Sequence, residues 1–446
     1  MLQRMKPLEF PKKLKAVIKP FLYCTVGFLA ACSPAGFEGT VLGHPPVAEE
    51  SVMASPVIAG DAARSKIIVV SPPPPPTIAS RRAPRTGVIT AGDIDDTLNM
   101  VAFQRYLNKA RRTTKLPATD LSTPVLARLT GPDGEPAPGV RVTLRKPGTS
   151  SPFYSGYSGV DGNITVFPAV YGAGRLRAVE LRAFPQGQGD AVVRKISSTG
   201  GRKQIALPFA GDWKPDFLDL AFVVDTTGSM SDELDWLTRE LRGIVRAAQR
   251  SAPGVDIRYG LIVYRDHGDD YVVKNYGFTS RQSEMVGWLR KQDANGGGDY
   301  PEAAAAALAA GAGLNWRRGK GERLMFHIAD APPHDRDARA YLQAARRAAK
   351  NNVQIFGLGA SGVAAESEYL MRQAAVQTNG RYLFLTDDSG VGYGHAEPTI
   401  SCYRVTKLSS LMVRVLRSEL SGHRVEAPDG AVIRNVGSYQ AGVCRN

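Results

Sequence analysis

The strongest constraint on the fold is an alternation that runs from about residue 215 to about residue 390. Leu218-Asp219-Leu220-Ala221-Phe222-Val223-Val224 is a nearly unbroken apolar run of strand length, and similar runs recur at 259–264, 324–329, 353–356 and 382–385. Between them lie helical stretches. Leu234, Leu237, Leu241, Ile244, Val245 and Ala248 line one face over 231–252, and further helices are predicted at 280–292, 302–314, 337–350 and 365–377. Strands buried on both faces and separated by helices specify a parallel sheet covered on two sides, an open doubly wound α/β domain. Such sheets collect their ligands at the carboxyl ends of the strands.

Oxygen donors recur at those ends. The first strand runs into Asp225-Thr226-Thr227-Gly228-Ser229-Met230-Ser231. The strand closing at Ala329 is followed by Asp330-Ala331-Pro332-Pro333-His334, and Gly296-Gly297-Gly298-Asp299-Tyr300-Pro301-Glu302 precedes the helix at 302. Oxygen-only donors suit hard cations, Mg²⁺ with retained waters or the looser Ca²⁺. Ser231 is expected to cap the following helix, with Asp232 and Glu233 favoured by its dipole. Asp266, Asp269 and Asp270 read as a solvated loop.

Asp225-Thr-Thr-Gly-Ser-Met resembles the D-x-S-x-S metal-ion-dependent adhesion site of von Willebrand factor type A (VWFA) domains. Tyr264-Arg265-Asp266-His267-Gly268-Asp269, the GGGDYPEA stretch and Ile328-Ala329-Asp330-Ala331-Pro332-Pro333 are similar to members of the same family. The resemblance covers 215–392 and implies a doubly wound, Rossmann-like domain with a metal-assisted binding face. It assigns Asp225, Thr227 and Ser229 to the first metal loop and Asp330 to the third. Thr227 stands where Ser is commoner and keeps the hydroxyl. In the middle loop either Asp299 or Glu302 is the ligand. The implied cation is Mg²⁺, with Ca²⁺ or Mn²⁺ as alternatives. Its incomplete protein shell leaves a position for an acidic side chain of a protein partner, and no turnover is expected.

Upstream, residues 122–210 read as all-β. Val140, Val142 and Leu144 alternate with Arg141, Thr143 and Arg145, while Pro132-Asp133-Gly134 and Asp161-Gly162-Asn163 supply turns. This part resembles the small prealbumin-like or immunoglobulin-like sandwiches of bacterial envelope proteins, and a structural or spacer role is expected. Leu98, Val101, Phe103, Tyr106 and Leu107 predict an amphipathic helix over 95–112, within a short helical linker at 91–121. A C-terminal extension, 393–446, is expected to carry a helix over 404–420.

The first 31 residues hold a basic stretch to Lys19 and an apolar run from Phe21 to Ala31, too short to span a bilayer but suited to a signal peptide. Leu29-Ala30-Ala31-Cys32 resembles the lipobox of bacterial lipoproteins. That resemblance implies a lipid on Cys32 and a place in the cell envelope, at the outer membrane because Ser33 is not Asp. Residues 32–90, with Pro72 to Pro76 in a row, read as a disordered Pro-rich tether. With Cys24 removed and Cys32 lipidated, Cys402 and Cys444 remain and are expected to pair in an oxidising compartment. The closed loop would contribute roughly 3–4 kcal/mol.

Other chemistries fit less well. Asp225-x-Thr-Gly-Ser also looks like the nucleophile loop of aspartyl-phosphate enzymes, but GGGDYPEA does not match their second acidic loop, and no well-placed lysine is apparent. Gly357-Leu-Gly359-Ala-Ser-Gly362 falls too late in the domain for a dinucleotide site and reads as a turn. Ser361 lacks the glycine that a hydrolase elbow needs two residues on, because Val363 stands there. The six histidines show no H-E-x-x-H or paired-cysteine spacing, so no zinc site is expected. His327, within a strand, reads as a core residue, and His334 beside Asp330 is a candidate for the rim of the ligand face. The formal charge of +14 comes without a nucleic-acid-binding motif, and no nucleic acid is expected.

Overall fold

The computed structural model of the protein describes residues 88–389 and 398–445. Cys32, the leader 1–31 and all but the end of the expected tether lie outside the described residues. The described chain opens with a strand, β1 (Thr90–Ile94), and a helix, α1 (Met100–Thr113). The helix predicted from residue 95 therefore starts later. Asp95 accepts the N–H and hydroxyl of Thr97 at 3.1 and 2.6 Å, a local bond that turns the chain before the helix can begin.

Seven strands follow: β2 (Val125–Thr130), β3 (Arg141–Arg145), β4 (Tyr154–Tyr157), β5 (Asn163–Val166), β6 (Ala178–Phe184), β7 (Val192–Ser197) and β8 (Lys203–Ala206). They form two sheets, ordered β5-β2-β8 and β4-β3-β6-β7. Val179, Leu181 and Ala183 of β6 are buried while their neighbours are half-exposed, the period-two pattern of a strand with one inward face. They share a core with Val142 and Leu144 of β3 and with Val125, Ala127 and Leu129 of β2. A side chain at Gly162, where φ is +71°, would run into the Leu129 carbonyl, so the turn at 161–163 requires glycine.

The principal elements that follow are β9 (Phe217–Asp225), α2 (Ser231–Gln249), β10 (Asp256–Tyr264), β11 (Val273–Thr279), α3 (Gln282–Leu289), α4 (Ala304–Ala312), β12 (Glu322–Ala329), α5 (Ala338–Lys350), β13 (Gln354–Gly359), α6 (Ala365–Thr378), β14 (Tyr382–Thr386), β15 (Tyr403–Lys407), α7 (Leu408–Ser421) and β16 (Arg434–Val436). One sheet takes the order β11-β10-β9-β12-β13-β14-β1-β15-β16. From β10 to β14 the neighbours are parallel; β11 on one side and β1, β15 and β16 on the other are antiparallel. Every residue of β9 is buried, as a central strand with helices on both faces requires. Ala221 and Val223 face α4, α5, α6 and α1, and Leu220, Phe222 and Val224 face α2, α3 and α7. Phe222, Phe326 and Phe356 stack across three adjacent strands, with ring centroids 5.6 and 5.1 Å apart.

β1, at the start of the expected linker, and β15 and β16, within the expected C-terminal extension, are thus strands of the α/β domain's own sheet. Residues 403–407 are a strand and not the start of a helix. Tyr403, Val405 and Thr406 are buried, and the segment's hydrogen bonds go to β1 and β16. Cys402 and Cys444 are joined, with an S–S distance of 2.10 Å and Cα atoms 5.4 Å apart. Buried Arg372 of α6 holds both oxygens of Asp96 at 2.8 Å and Glu368 at 2.7 Å, tying the turn before α1 to the domain. The sandwich docks on the same body: Trp213 donates to the Glu419 carbonyl at 2.7 Å, and Arg346 donates to the Ala169 carbonyl at 2.9 Å. No helix among the described residues is long and apolar enough to cross a membrane.

Candidate metal centre

The carboxyl ends of β9, β10 and β12 lie side by side, so the loops after them meet. β9 delivers Asp225, which has no exposed surface, at its last position. Thr226 then turns back onto β10, its N–H and hydroxyl both bonded to the Tyr264 carbonyl, at 2.9 and 2.8 Å. Asp225 Oδ1 accepts the N–H of Thr227 at 2.9 Å and its hydroxyl at 2.7 Å. Thr227 and Ser229 bring their hydroxyl oxygens within 3.5 Å of each other. Met230 precedes α2 and Ser231 is its first residue, without a side-chain cap, so the expected capping by Ser231 is not what starts this helix.

The glycine loop closes over this first loop. Gly228 N–H bonds the Gly296 carbonyl at 3.1 Å, and Asn295 N–H bonds the Thr226 carbonyl at 3.1 Å. A Cβ on Gly297 would stand 2.8 Å from Glu302 Oε1 and 3.1 Å from Thr227 Cβ, which is why this approach needs glycine. Glu302, only 4% exposed, is fixed by its N–H to the Pro332 carbonyl at 2.9 Å, in the loop that carries Asp330. Tyr300 steadies that loop by donating to the Asp330 carbonyl at 3.2 Å and accepting the Ala364 N–H at 2.9 Å.

Asp225, Glu302 and Asp330 are therefore brought together, with Thr227 and Ser229 beside them. Asp299 is not in this group. It is exposed and lies with Asp266 and His334, so of the two middle-loop candidates Glu302 is the one turned toward Asp225. Three carboxylate oxygens, Asp225 Oδ2, Glu302 Oε2 and Asp330 Oδ1, are buried and have no hydrogen-bond partner among the described residues. Burial, and then the charge of Asp330, pushes Asp225 up to about 7. Burial, and then Asp225 and Asp266, pushes Glu302 up to about 9. Asp330 is raised as well, by burial, against the opposing bond from Ser229. Such a set binds protons when no cation is present, and a divalent ion would displace them.

Sequence reasoning missed the surroundings of this cluster. Asp266 is buried and not part of a solvated loop: its Oδ1 lies 2.8 Å from His334 Nε2, and its N–H is held by Asp269 at 3.0 Å. Asp270 does stay at the surface, beside Arg265. His327 is buried between the hydroxyls of Tyr264 and Tyr341, at 3.2 and 3.0 Å, and burial pushes its ring down to about 3.

Residues 219–392 match the family model described as von Willebrand factor A domain. Over 117 residues the chain is 35% identical to an ariadne-like RING finger protein of Acanthamoeba polyphaga mimivirus, a stretch covering 26% of this chain and 11% of that protein. Over 220 residues it is 22% identical to the alpha-protein kinase vwkA of Dictyostelium discoideum, covering 48% and 35%. The chain thus spans about a tenth and about a third of the length of these curated relatives. The crystal structure of conserved hypothetical protein BatB from Bacteroides thetaiotaomicron is similar over 39% of this chain and 93% of that one, at 14% identity and a TM-score of 0.31.

Proposed function

We propose that the protein binds a protein partner through a divalent cation at this cluster, on a cell envelope to which lipid on Cys32 fixes the chain, at the outer membrane. The observation that carries the reading is the convergence of three buried carboxylate oxygens without hydrogen-bond partners, from Asp225, Glu302 and Asp330. Uncompensated buried charge of this kind is costly, and an all-oxygen donor set suits Mg²⁺ ahead of softer metals, with Ca²⁺ or Mn²⁺ as alternatives. Asp225, Thr227, Ser229, Glu302 and Asp330 are the residues that would hold the ion. Bound there, it supplies a positive position for the acidic side chain of a partner. The chain's own part is positioning: Thr227 fixes Asp225, the Pro332 carbonyl fixes Glu302 and Tyr300 fixes the Asp330 loop, so the donors need little rearrangement. The match of 219–392 to the von Willebrand factor A model supports an interaction role, and in this reading the site turns nothing over.

The test is capture from envelope extract by the purified chain, in Mg²⁺ and then in EDTA. Capture should be lost in EDTA and with Asp225→Asn. Capture indifferent to both would refute the metal-dependent face. Phosphate covalently held on Asp225, with phosphatase turnover, would favour the aspartyl-phosphate alternative. Cys32→Ala should release the protein to the soluble fraction, and mass spectrometry finding Cys32 unmodified would remove the anchor.

A further inference from the structure

We infer a second cation site beside the first, built from Asp266, Asp299 and His334 and suited to a first-row transition metal such as Zn²⁺. The three residues come from three loops: the end of β10, the glycine loop and the loop after β12. One ligand atom from each lies within 4.8 Å of the others. The backbone holds them there. Asp269 accepts the N–H of Asp266 at 3.0 Å and that of Gly297 at 2.9 Å with the same oxygen, which clamps the β10 loop to the loop that carries Asp299.

Glu302, already turned toward Asp225, also borders this group. It is 4% exposed, and its Oε2 has no hydrogen-bond partner among the described residues. Its N–H bonds the carbonyl of Pro332, two residues before His334, and the next N–H, from Ala303, bonds the carbonyl of Arg265, one residue before Asp266. The charges acting on its carboxyl are, in order, those of Asp225, Asp266 and Asp330. Glu302 thus stands beside both groups, its backbone tied to the loops that carry His334 and Asp266. A hydrogen-bonded His–Asp pair accounts for His334 and Asp266 but leaves the approach of Asp299 unexplained.

The donor chemistry separates the two sites. Mg²⁺ takes oxygen ligands and retains water, whereas imidazole nitrogen with carboxylates suits Zn²⁺ and its neighbours in the first row. Three protein donors leave a coordination position open. Exposed His267, with its ring centroid 5.9 Å from that of His334, stands at the mouth. The site goes beyond the adhesion reading, because it uses different residues and a different metal.

The experiment measures Zn²⁺ binding to the EDTA-stripped full chain by titration calorimetry, in a millimolar excess of Mg²⁺. Wild type should take up one Zn²⁺. His334→Ala and Asp299→Asn should each weaken it by more than the roughly 10–100-fold that loss of an outer-shell partner costs. Asp299 is exposed, so Asp299→Asn tests the site without endangering the fold. Asp225→Asn should leave Zn²⁺ affinity unchanged while removing the response to Mg²⁺. Co²⁺ in place of Zn²⁺ should give a visible absorption band that His334→Ala abolishes. Zn²⁺ affinity indifferent to both His334→Ala and Asp299→Asn would overturn the inference. So would Zn²⁺ lost with Asp225→Asn and retained with His334→Ala, which would place the metal in the oxygen-only site. Failure of Mg²⁺ binding alone would sink the adhesion reading and leave this one standing.

Discussion

Replacing Asp225 by Asn should stabilise the metal-free protein at pH 8 while abolishing its response to Mg²⁺. Burial, with the nearby charge of Asp330, pushes the Asp225 carboxyl from 3.8 up to about 7. The folded chain therefore holds this proton more tightly than the unfolded chain does. That contribution is fully present below about pH 4 and is lost as the pH rises through about 7. A shift of about three pH units corresponds to about 4 kcal/mol, an upper bound because Glu302 and Asp330 compete for the same protons. Asn resembles the protonated acid in charge and keeps the oxygen that accepts both bonds from Thr227. At about 2–4 °C per kcal/mol for domains of 150–250 residues, the variant's melting temperature in EDTA should exceed wild type by at most roughly 8–16 °C at pH 8 and by much less at pH 5. Mg²⁺ at about 100 times its dissociation constant should return about 2.7 kcal/mol to wild type and nothing to the variant. Differential scanning calorimetry at both pH values, with EDTA and then with Mg²⁺, reads all four comparisons. A variant destabilised to the same extent at pH 5 and pH 8 would show that Asp225 is an ionised structural acceptor for Thr227 and that no cation site exists.

Cys402→Ser should lower stability by about 4 kcal/mol, the entropy of a closed loop with a sequence separation of 42, and reductant should have no further effect on that variant in urea unfolding. Phe222→Ala removes the end ring of the stack, the one beside Phe326, and should cost about 3–5 kcal/mol in the same assay. Arg372→Ala leaves Asp96 and Glu368 buried without their cation and should cost about 3–5 kcal/mol, with Arg372→Met much closer to Ala than to wild type at pH 7. If Arg372→Ala changes stability by less than 1 kcal/mol, the turn before α1 is not held by this network.

The parallel core was legible because its strands are buried on both faces: β9, β12 and β14 read as largely apolar runs, and no half-exposed pattern competes. The antiparallel margins were not. Residues 273–279 are half-exposed, with a glycine in the run, and carry no alternation to mark a strand. β1, Thr-Ala-Gly-Asp-Ile, is fully buried yet contains Gly92 and Asp93. Gly92 is there because a Cβ would stand 2.7 Å from the Phe384 ring, and Asp93 is there because Arg381 and Arg424 reach it at 3.6 and 3.9 Å. Both reasons lie in residues about 290 or more positions away, beyond the reach of any local pattern. The strand at 403–407 was absorbed into a helix because Val405 falls three residues before Leu408, a helical spacing that runs on into α7.

The site divides along the same line. Asp225, Thr227 and Ser229 sit at fixed spacing in one loop, and spacing is visible in a sequence. Asp330 was visible because it follows a strand of the same sheet. Between Asp299 and Glu302 the sequence had no basis for a choice, because both follow the three glycines. The choice is made by Gly297, whose missing Cβ leaves the space that Glu302 Oε1 and Thr227 fill, and by the Pro332 carbonyl that fixes the Glu302 backbone. The remaining middle-loop acid then falls beside Asp266 and His334. Metal motifs read from spacing assume that the ligands share a helix or a loop, so histidines without such spacing argued against a nitrogen-containing site. In a parallel sheet, residues separated by 68 positions meet whenever their strands are near neighbours, as His334 and Asp266 do at 2.8 Å. The topology that made the oxygen site readable one loop at a time is the same one that hid its neighbour, because every ligand of the second site comes from a different loop.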